Sequence, residues 1–238
     1  MKTITGWDVE RLLPPLGTLA FFDKWQQEEI RALLADRVRV GIRSHPMGDF
    51  LIHEQDLGTA LFLLLAGRAS VVKNGSSIPL AHLEPGQFFG EVAFFTNRPR
   101  SSNVIAHGGP DHSPLRSLLG LDGEPINQHA VLVLRMDREL LDHLDPVIGV
   151  VMLNHIIGAL GQRLAAMAHR ILEQTGELPL LSIDDRQLAE VLQETACRGA
   201  APHPSPDQPG NASQQRRMID RLIQLQDEMT VCLLDGGG

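Results

Sequence analysis

The spacing of apolar residues divides the 238-residue chain into a helical, a β and a second helical region. Residues 7–35 have mostly helical spacing and predict a small helical lead-in over residues 1–36. From Arg37 the period changes to two, because Val38, Val40 and Ile42 alternate with polar residues. Beyond Pro146 the helical period returns. The pattern predicts an α+β protein.

Short apolar runs separated by turn-forming residues fill residues 37–145. Strands of this length, joined by Gly, Pro, Asn and Asp, predict an antiparallel barrel or sandwich. A polar segment rich in Gly and Pro, residues 107–129, interrupts two of the strands and predicts a surface loop. The runs are FLIH, ALFLLLAG, RASVVKNG, IPLAHL, SNVIA and AVLVLRM.

One long helix is predicted over residues 146–175. Its apolar residues follow steps of three and four over three heptads, which is the pattern of a helix that pairs with another helix. We expect a homodimer through residues 146–171, and packing of this helix on its own domain is the alternative. The heptad residues are Val150, Leu153, Ile157, Leu160, Leu164, Met167 and Ile171.

Charge and composition narrow the functional classes. The formal net charge of -8 argues against binding nucleic acid by bulk electrostatics. The two cysteines form no metal-ligand pattern, and we expect no metal site. The N-terminal residues lack an apolar stretch of signal-peptide length, and the most apolar helix is short for a bilayer span. We expect a cytoplasmic protein without a membrane contact.

The stretch FFGEVAFFTNRPRSSNV contains the strongest chemical signal. Gly90 precedes a short helical segment, whose free backbone N–H groups favour an anion. Arg100 can add a charge-assisted contact to phosphate oxygens. Glu91 would repel a bare phosphate, but it suits a ligand in which a hydroxyl lies beside the phosphate. A ribose with a cyclic phosphate meets both demands, and a surface salt bridge is the alternative.

Residues 37–145 resemble the cyclic-nucleotide-binding domain family. The resemblance rests on Gly48, on DLGTALFLLLAG, on LEPGQFFGE and on RPRSSNVIA, which stand in the family's order. It implies a β-roll with a phosphate-binding cassette in which Glu91 accepts the ribose 2′-hydroxyl and Arg100 pairs with the phosphate. Cyclic AMP is the first ligand choice, cyclic GMP the second and cyclic di-GMP the third. The implied binding residues are Gly90, Glu91, Val92, Ala93, Arg100, Ser101 and Ser102.

The chain departs from the family pattern at one turn. The family has Gly before the aspartate that matches Asp56, whereas this chain has Gln55. We therefore expect a side chain in a strained conformation if φ is positive at this position.

The order of elements resembles the catabolite-activator (Crp/Fnr) type of regulator. That resemblance implies a C-terminal output domain over residues 176–238, built as a winged helix-turn-helix. The segments LSIDDRQLAEVL and ASQQRRMIDRLIQLQDE resemble its helix pair, with Ser182 and Ser213 as caps and Gln214, Gln215, Arg216 and Arg217 at the DNA. A flexible loop is expected over residues 193–211 in place of the tight turn, and TVCLLDGGG is short for a wing. The domain therefore resembles a degenerate version.

Three functions compete at this point. The first is a cyclic-nucleotide-sensing dimer whose C-terminal domain acts on a protein partner. The second is a transcription factor that binds DNA through residues 213–225, although five arginines and no lysine stand against ten acidic residues from Gly176 onward. The third is an interaction scaffold that has lost nucleotide binding. No nucleophile, base and acid can be grouped, so we expect a binding protein and not an enzyme.

Overall fold

The computed structural model describes residues 1–76, 79–107, 113–120, 129–175 and 211–235. The chain forms two compact units, Met1–Leu144 and Asp145–Gly238. The helical lead-in and the β region lie together in the first unit.

Two antiparallel sheets make up most of the first unit. The five-stranded sheet has the order β1-β2-β9-β4-β7 and the four-stranded sheet the order β3-β8-β5-β6. The strands are β1 (Lys2–Ile4), β2 (Val40–His45), β3 (Phe50–Ile52), β4 (Leu61–Ala66), β5 (Ala69–Val72), β6 (Ala81–Leu83), β7 (Phe88–Phe89), β8 (Asn103–Ala106) and β9 (Val131–Met136).

The core of this unit lies between the two sheets. Alternate residues point to opposite faces of a strand, so residues of both sheets meet in one apolar cluster. Phe62, Leu64 and Val133 come from the first sheet, and Ala69 and Val104 come from the second. Antiparallel sheets closed around such a core agree with the predicted β-roll. The α-helices among the described residues of this unit are α1 (Val9–Leu16), α2 (Gln27–Ala35), α3 (Glu91–Thr96) and α4 (Pro114–Leu119), and two 3-10 helices span Ala20–Phe22 and Arg138–Asp142.

The start of the β region differs from the prediction. Strand β2 begins at Val40, and the Val38 side chain is 84% exposed. Asp36 accepts hydrogen bonds from the backbone N–H groups of Val38 and Arg39, which makes a turn of these residues. The lead-in also contains a strand, β1, which pairs with β2. The alternating spacing of apolar residues was predicted from Arg37, whereas the strand begins at Val40.

The insert 107–129 is not only a surface loop. Helix α4 lies within it, with Pro114 at its first turn, and buries Leu115 and Leu119. Arg116 donates a hydrogen bond to the carbonyl of Ala130. The composition predicted a loop because Gly and Pro dominate the flanks, whereas two leucines four residues apart are sufficient to anchor one helical turn on a core. Residues 108–112 and 121–128 of the insert lie outside the described residues.

The second unit contains two long helices, α5 (Pro146–Thr175) and α6 (Asn211–Asp235). They pack against each other, and both bury apolar residues. Each of these helices therefore packs on a helix of its own chain, which was the stated alternative to a homodimer. The homodimer stays a prediction. Within the described residues, α5 alone is long and apolar enough to cross a membrane, and half of its most apolar window is buried inside the protein.

Several expectations for the C-terminal region are corrected. Helix α6 continues to Asp235, so residues 230–235, which were expected to be too short for a wing, form helix. It begins at Asn211, so Ser213 lies inside the first turn and not at the cap. Gln215 is fully buried and donates a hydrogen bond of 2.6 Å to Asn154, which removes it from a DNA-facing surface. The predicted helix 181–192 with Ser182, and the loop 193–211 up to residue 210, lie outside the described residues.

Candidate functional site

The site begins at the turn between β7 and α3. Gly90 takes a φ of +83°, in the left-handed region where a side chain is strained, and so redirects the chain from the strand into the helix. A Cβ atom at this position would lie 2.6 Å from Nη1 of Arg100 and 3.1 Å from the Ala60 carbonyl oxygen. Glycine is therefore required both by the backbone and by the close approach of the arginine.

The first turn of α3 is buried. Glu91, Val92 and Ala93 are 4%, 6% and 1% exposed. The first backbone N–H groups of a helix have no acceptor within the helix, so this turn presents donors next to Gly90. A buried glutamate at this position is unusual, because charged side chains are rarely buried unless they interact with another group.

The Arg100 side chain reaches the same turn and is only 5% exposed. Its Nη1 donates to the Gly90 carbonyl at 2.8 Å, and its Nη2 donates to the Ala60 carbonyl at 2.7 Å. The guanidinium carbon lies 5.6 Å from the centroid of the Phe62 ring. A guanidinium has five N–H donors in a planar group, so two bonds to carbonyls orient it without using all of its donors.

Burial dominates the electrostatics of this arginine. It lowers the pKa of the Arg100 guanidinium to about 10, and the Glu91 carboxylate offsets part of that change. The group is therefore a buried cation at neutral pH. A buried cation near a buried carboxylate is chemically suited to an anion that carries a hydroxyl donor, and binding of such a ligand here stays a prediction.

The backbone of Arg100 is held by the turn that precedes β4. Its N–H donates to the Asp56 carbonyl at 2.8 Å, and its carbonyl accepts from the Gln55 N–H at 2.9 Å. Gln55 has a φ of +73°, so the residue that departs from the family pattern does take the strained conformation.

Ser101 and Ser102 follow Arg100 and are both half-buried. The structure brings all seven predicted residues into one region at α3 and the start of β8, and their roles toward a ligand stay predictions. The Ser101 carbonyl accepts a hydrogen bond from Lys73 Nζ. Sequence reasoning missed both Lys73 and the Ala60 carbonyl. Each makes a hydrogen bond in which the acceptor is a backbone carbonyl, and a backbone carbonyl has no signal in the sequence.

A metal-dependent chemistry has no support in the part of the chain that the structure describes. There, the His, Cys, Asp and Glu side chains form no group of three that could hold a metal ion.

The comparisons with known proteins address the same region. Residues 42–108 match the family model of the cyclic nucleotide-binding domain. The chain is 37% identical over 76 residues to a cAMP-dependent protein kinase regulatory subunit of Neurospora crassa, which covers 32% of this chain and 19% of that protein. With the regulatory subunit of Schizosaccharomyces pombe it shares 32% identity over 97 residues, or 41% and 22% of the two chains. It thus spans about a fifth of the length of these relatives.

A solved structure supports the fold. A cyclic nucleotide-binding domain from Methylobacillus flagellatus has a TM-score of 0.54 and 22% identity, over 73% of this chain and 86% of that one. The observed antiparallel sheets, the turn at Gly90 and the family model agree on one conclusion. Residues 42–108 of this chain resemble a cyclic nucleotide-binding domain in sequence, and the described sheets have a fold like that of such a domain.

Proposed function

We propose that this protein is a cyclic-nucleotide-sensing regulatory protein, that cyclic AMP is its first ligand, and that it acts on a protein partner. The observation that supports this function is the burial of Glu91 and Arg100 beside the glycine turn of a cyclic nucleotide-binding domain. Isolated surface charges at this spacing would have favoured a solvent-exposed salt bridge.

The roles of the site residues follow from their chemistry. Arg100 would use its remaining donors for the cyclic phosphate, and Glu91 would accept a hydrogen bond from the ribose 2′-hydroxyl. The backbone N–H groups near Gly90 and Ala93 would complete the phosphate contact, and Ser101 would contact the phosphate or the purine edge. This arrangement distinguishes a ribose phosphate from a bare phosphate, because the carboxylate repels an anion that brings no donor.

The proposed output is a protein contact. The relatives in Neurospora crassa and Schizosaccharomyces pombe are regulatory subunits of a protein kinase, which supports a regulatory and non-enzymatic role with a kinase-like partner. DNA binding as in Crp/Fnr regulators has less support. Gln215 was expected at the DNA and is buried instead.

A scaffold that has lost nucleotide binding is the third function. A protein of that kind would have no need to keep an acid and a base buried together, because each costs free energy to desolvate. The burial of both Glu91 and Arg100 therefore favours a working site.

We further propose that ligand binding shifts a conformational equilibrium of the first unit, and that this shift changes the conformation of the helix that starts at Pro146. Such a shift requires a different affinity in the two states. Hydrogen exchange along residues 146–171 should therefore differ between the free and the saturated protein. Equal protection in both states would reject this coupling while leaving nucleotide binding intact.

Calorimetric titration tests the ligand directly. The protein is titrated with cyclic AMP, cyclic GMP and cyclic di-GMP, beside an Arg100→Ala variant and an Arg98→Ala variant. Arg98 is exposed and lies two residues from Arg100. Its substitution by alanine removes one positive charge, as Arg100→Ala does, and therefore controls for the change in charge. We expect binding of cyclic AMP that weakens by at least about a hundredfold in Arg100→Ala, since hydrogen bonds to a charged group are each worth roughly 1.5–3 kcal/mol.

Two results would contradict the proposal. One is the absence of binding heat for all three nucleotides with folded protein. The other is equal loss of binding in Arg98→Ala and Arg100→Ala, which would indicate a general electrostatic attraction and not a specific site.

A further inference from the structure

A polar cluster lies where Arg100 enters the four-stranded sheet. Strand β8 is central in this sheet and antiparallel to both β3 and β5, so the start of β8 meets the ends of its two neighbours. Arg100 precedes the first residue of β8 by three positions. The segment that follows β3, the segment that follows β5 and the segment that carries Arg100 therefore converge at one edge.

Four side chains connect these segments, and we call them the edge cluster: Glu54, Lys73, Asn74 and Asn103. The Glu54 carboxylate accepts from the Asn74 N–H at 2.7 Å and lies 3.4 Å from Lys73 Nζ. Asn103 Oδ1 accepts from the Glu54 N–H at 2.9 Å, and its Nδ2 donates to Asn74 Oδ1 at 2.8 Å. Lys73 Nζ also donates to the Ser101 carbonyl.

Glu54, Lys73 and Asn103 of this cluster are largely shielded from solvent, and Asn74 is exposed. The side chains of Glu54 and Lys73 are 10% and 28% exposed, and Asn103 is 7% exposed. An ion pair in this environment is screened less than one at the surface, and its hydrogen bonds orient it. Lys73 is thus held in one direction, and the Ser101 carbonyl is the acceptor that it faces.

We propose that Lys73 is a positioning residue for the nucleotide site, a role that rests on the function proposed above. The Arg100 peptide is held by the turn at Gln55 and Asp56, and the next carbonyl, that of Ser101, is held by Lys73. These two attachments fix the backbone from which the guanidinium extends. Because Arg100 fits between the carbonyls of Gly90 and Ala60, a small backbone shift would misplace the donors that face the phosphate.

The test compares two lysines in the full-length chain. Lys73→Met removes the ammonium with little change in length, Lys73→Arg keeps a cation, and Lys24→Met makes the same change in charge at an exposed position. We expect Lys73→Met to weaken cyclic AMP binding about tenfold, as for one charge-assisted hydrogen bond. Lys73→Arg should recover most of the affinity, and Lys24→Met should bind as the unmodified protein does.

A second measurement separates positioning from general stability. In the free protein, the NMR signal of the Arg100 side-chain Nε–H should shift in Lys73→Met and stay unchanged in Lys24→Met. A uniform loss of stability would not move one guanidinium signal in protein that remains folded. Glu54→Gln, which removes the charge that orients Lys73, should shift the same signal and weaken binding about threefold; this milder variant decides the question if Lys73→Met does not fold.

The outcomes distinguish the two proposals. If Arg100→Ala abolishes binding while Lys73→Met binds normally and keeps the Arg100 signal, the positioning role is wrong and the nucleotide site stands. If the unmodified protein binds none of the nucleotides, the proposed function is wrong, and the Arg100 signal alone decides whether Lys73 positions this side chain. An unshifted signal in Lys73→Met and Glu54→Gln would overturn the role in that case.

Discussion

The two compact units bury polar side chains in different ways. In the unit Met1–Leu144, Glu91 and Arg100 are buried charges that lie beside a turn with a positive φ. In the unit Asp145–Gly238, Gln215 is the buried polar residue among the described positions, and it is neutral and pairs with Asn154 of the other helix. The first arrangement holds the N–H donors of Arg100 in a defined direction, whereas the hydrogen bond between Gln215 and Asn154 joins α5 and α6 at one point.

The first arrangement lies at the site proposed for the nucleotide, whereas the second is a packing contact. Burying a charge costs free energy unless the charge has partners, and the carbonyls of Gly90 and Ala60 are partners of Arg100. A neutral pair inside an apolar helix contact instead specifies which turns of the two helices meet, as buried polar residues do in coiled coils. Substitutions at Glu91, Arg100 or the turn at Gly90 should therefore change ligand affinity, and those at Gln215 or Asn154 should change stability.

Gly90→Ala should have the largest effect on the first unit. A methyl group there would lie 2.6 Å from Arg100 Nη1, and the φ of +83° adds strain. We expect cyclic AMP affinity to fall about a hundredfold and stability by about 1–2 kcal/mol, measured by calorimetry and urea unfolding. Gly48→Ala is the matched control, since it has a φ of +89° and open space around the added Cβ. Equal loss of affinity in both variants would show that strain, not contact with Arg100, is the cause.

Acid should destabilise the first unit through His45. Burial lowers the pKa of His45 to about 4 from the usual 6.5, aided by the N-terminal ammonium and Arg43 and opposed by Asp49. The unfolded chain binds the proton first, so the full contribution is present above pH 6.5 and is lost as pH falls toward 4. We expect a loss of about 3 kcal/mol across that window, at about 1.4 kcal/mol for each pKa unit.

Urea unfolding at several pH values measures this loss. The His45→Gln variant should show a flatter pH dependence between 4 and 6.5. A variant with the same slope as the unmodified protein would assign the acid sensitivity to other groups.

Asn154→Leu should destabilise the second unit and leave the ligand site unchanged. The substitution leaves the fully buried amide of Gln215 without the acceptor at 2.6 Å, at a cost of about 1–3 kcal/mol. The double variant Asn154→Leu with Gln215→Leu should recover much of the loss, because neither partner is then left unpaired. An unchanged free energy of unfolding in Asn154→Leu, or no recovery in the double variant, would contradict this prediction.

Gln55→Gly should have the smallest effect, and it should be stabilising. Glycine adopts the φ of +73° without the clash that Gln55 has, although it loses more conformational entropy on folding. We expect a gain of up to about 1 kcal/mol in the free energy of unfolding, with unchanged affinity for cyclic AMP. Reduced stability would indicate that the Gln55 side chain has contacts worth more than the strain.

Much of the first unit could be predicted from local signals. Glycine at turns, alternating apolar residues and an arginine at the required distance from a glutamate all leave marks in the sequence, and the β-roll is confirmed. The strands β1 and β7 were not predicted, because Lys2–Ile4 and Phe88–Phe89 contain at most two consecutive apolar residues and so form no apolar run. Helix α4 was hidden by the Gly and Pro residues around it.

The second unit shows where sequence reasoning stops. The heptad pattern correctly placed a helix at residues 146–175, but it could not choose between α6 and a second copy as its partner. Hydrophobic spacing specifies that a face is buried and not which surface covers it. The likeness of residues 212–228 to a recognition helix stays a prediction, and only the tertiary structure shows that Gln215 faces a helix of its own chain.

The sequence by itself determined the helical and β regions, the glycine turn and the acid and base expected at a nucleotide, since these depend on neighbouring residues and on local backbone chemistry. Only the tertiary structure decided how Arg100 is held. The carbonyls of Gly90 and Ala60, the turn at Gln55 and the ammonium of Lys73 come from separate parts of the chain. Their meeting depends on the order of strands in the sheets, and that order is set by long-range packing.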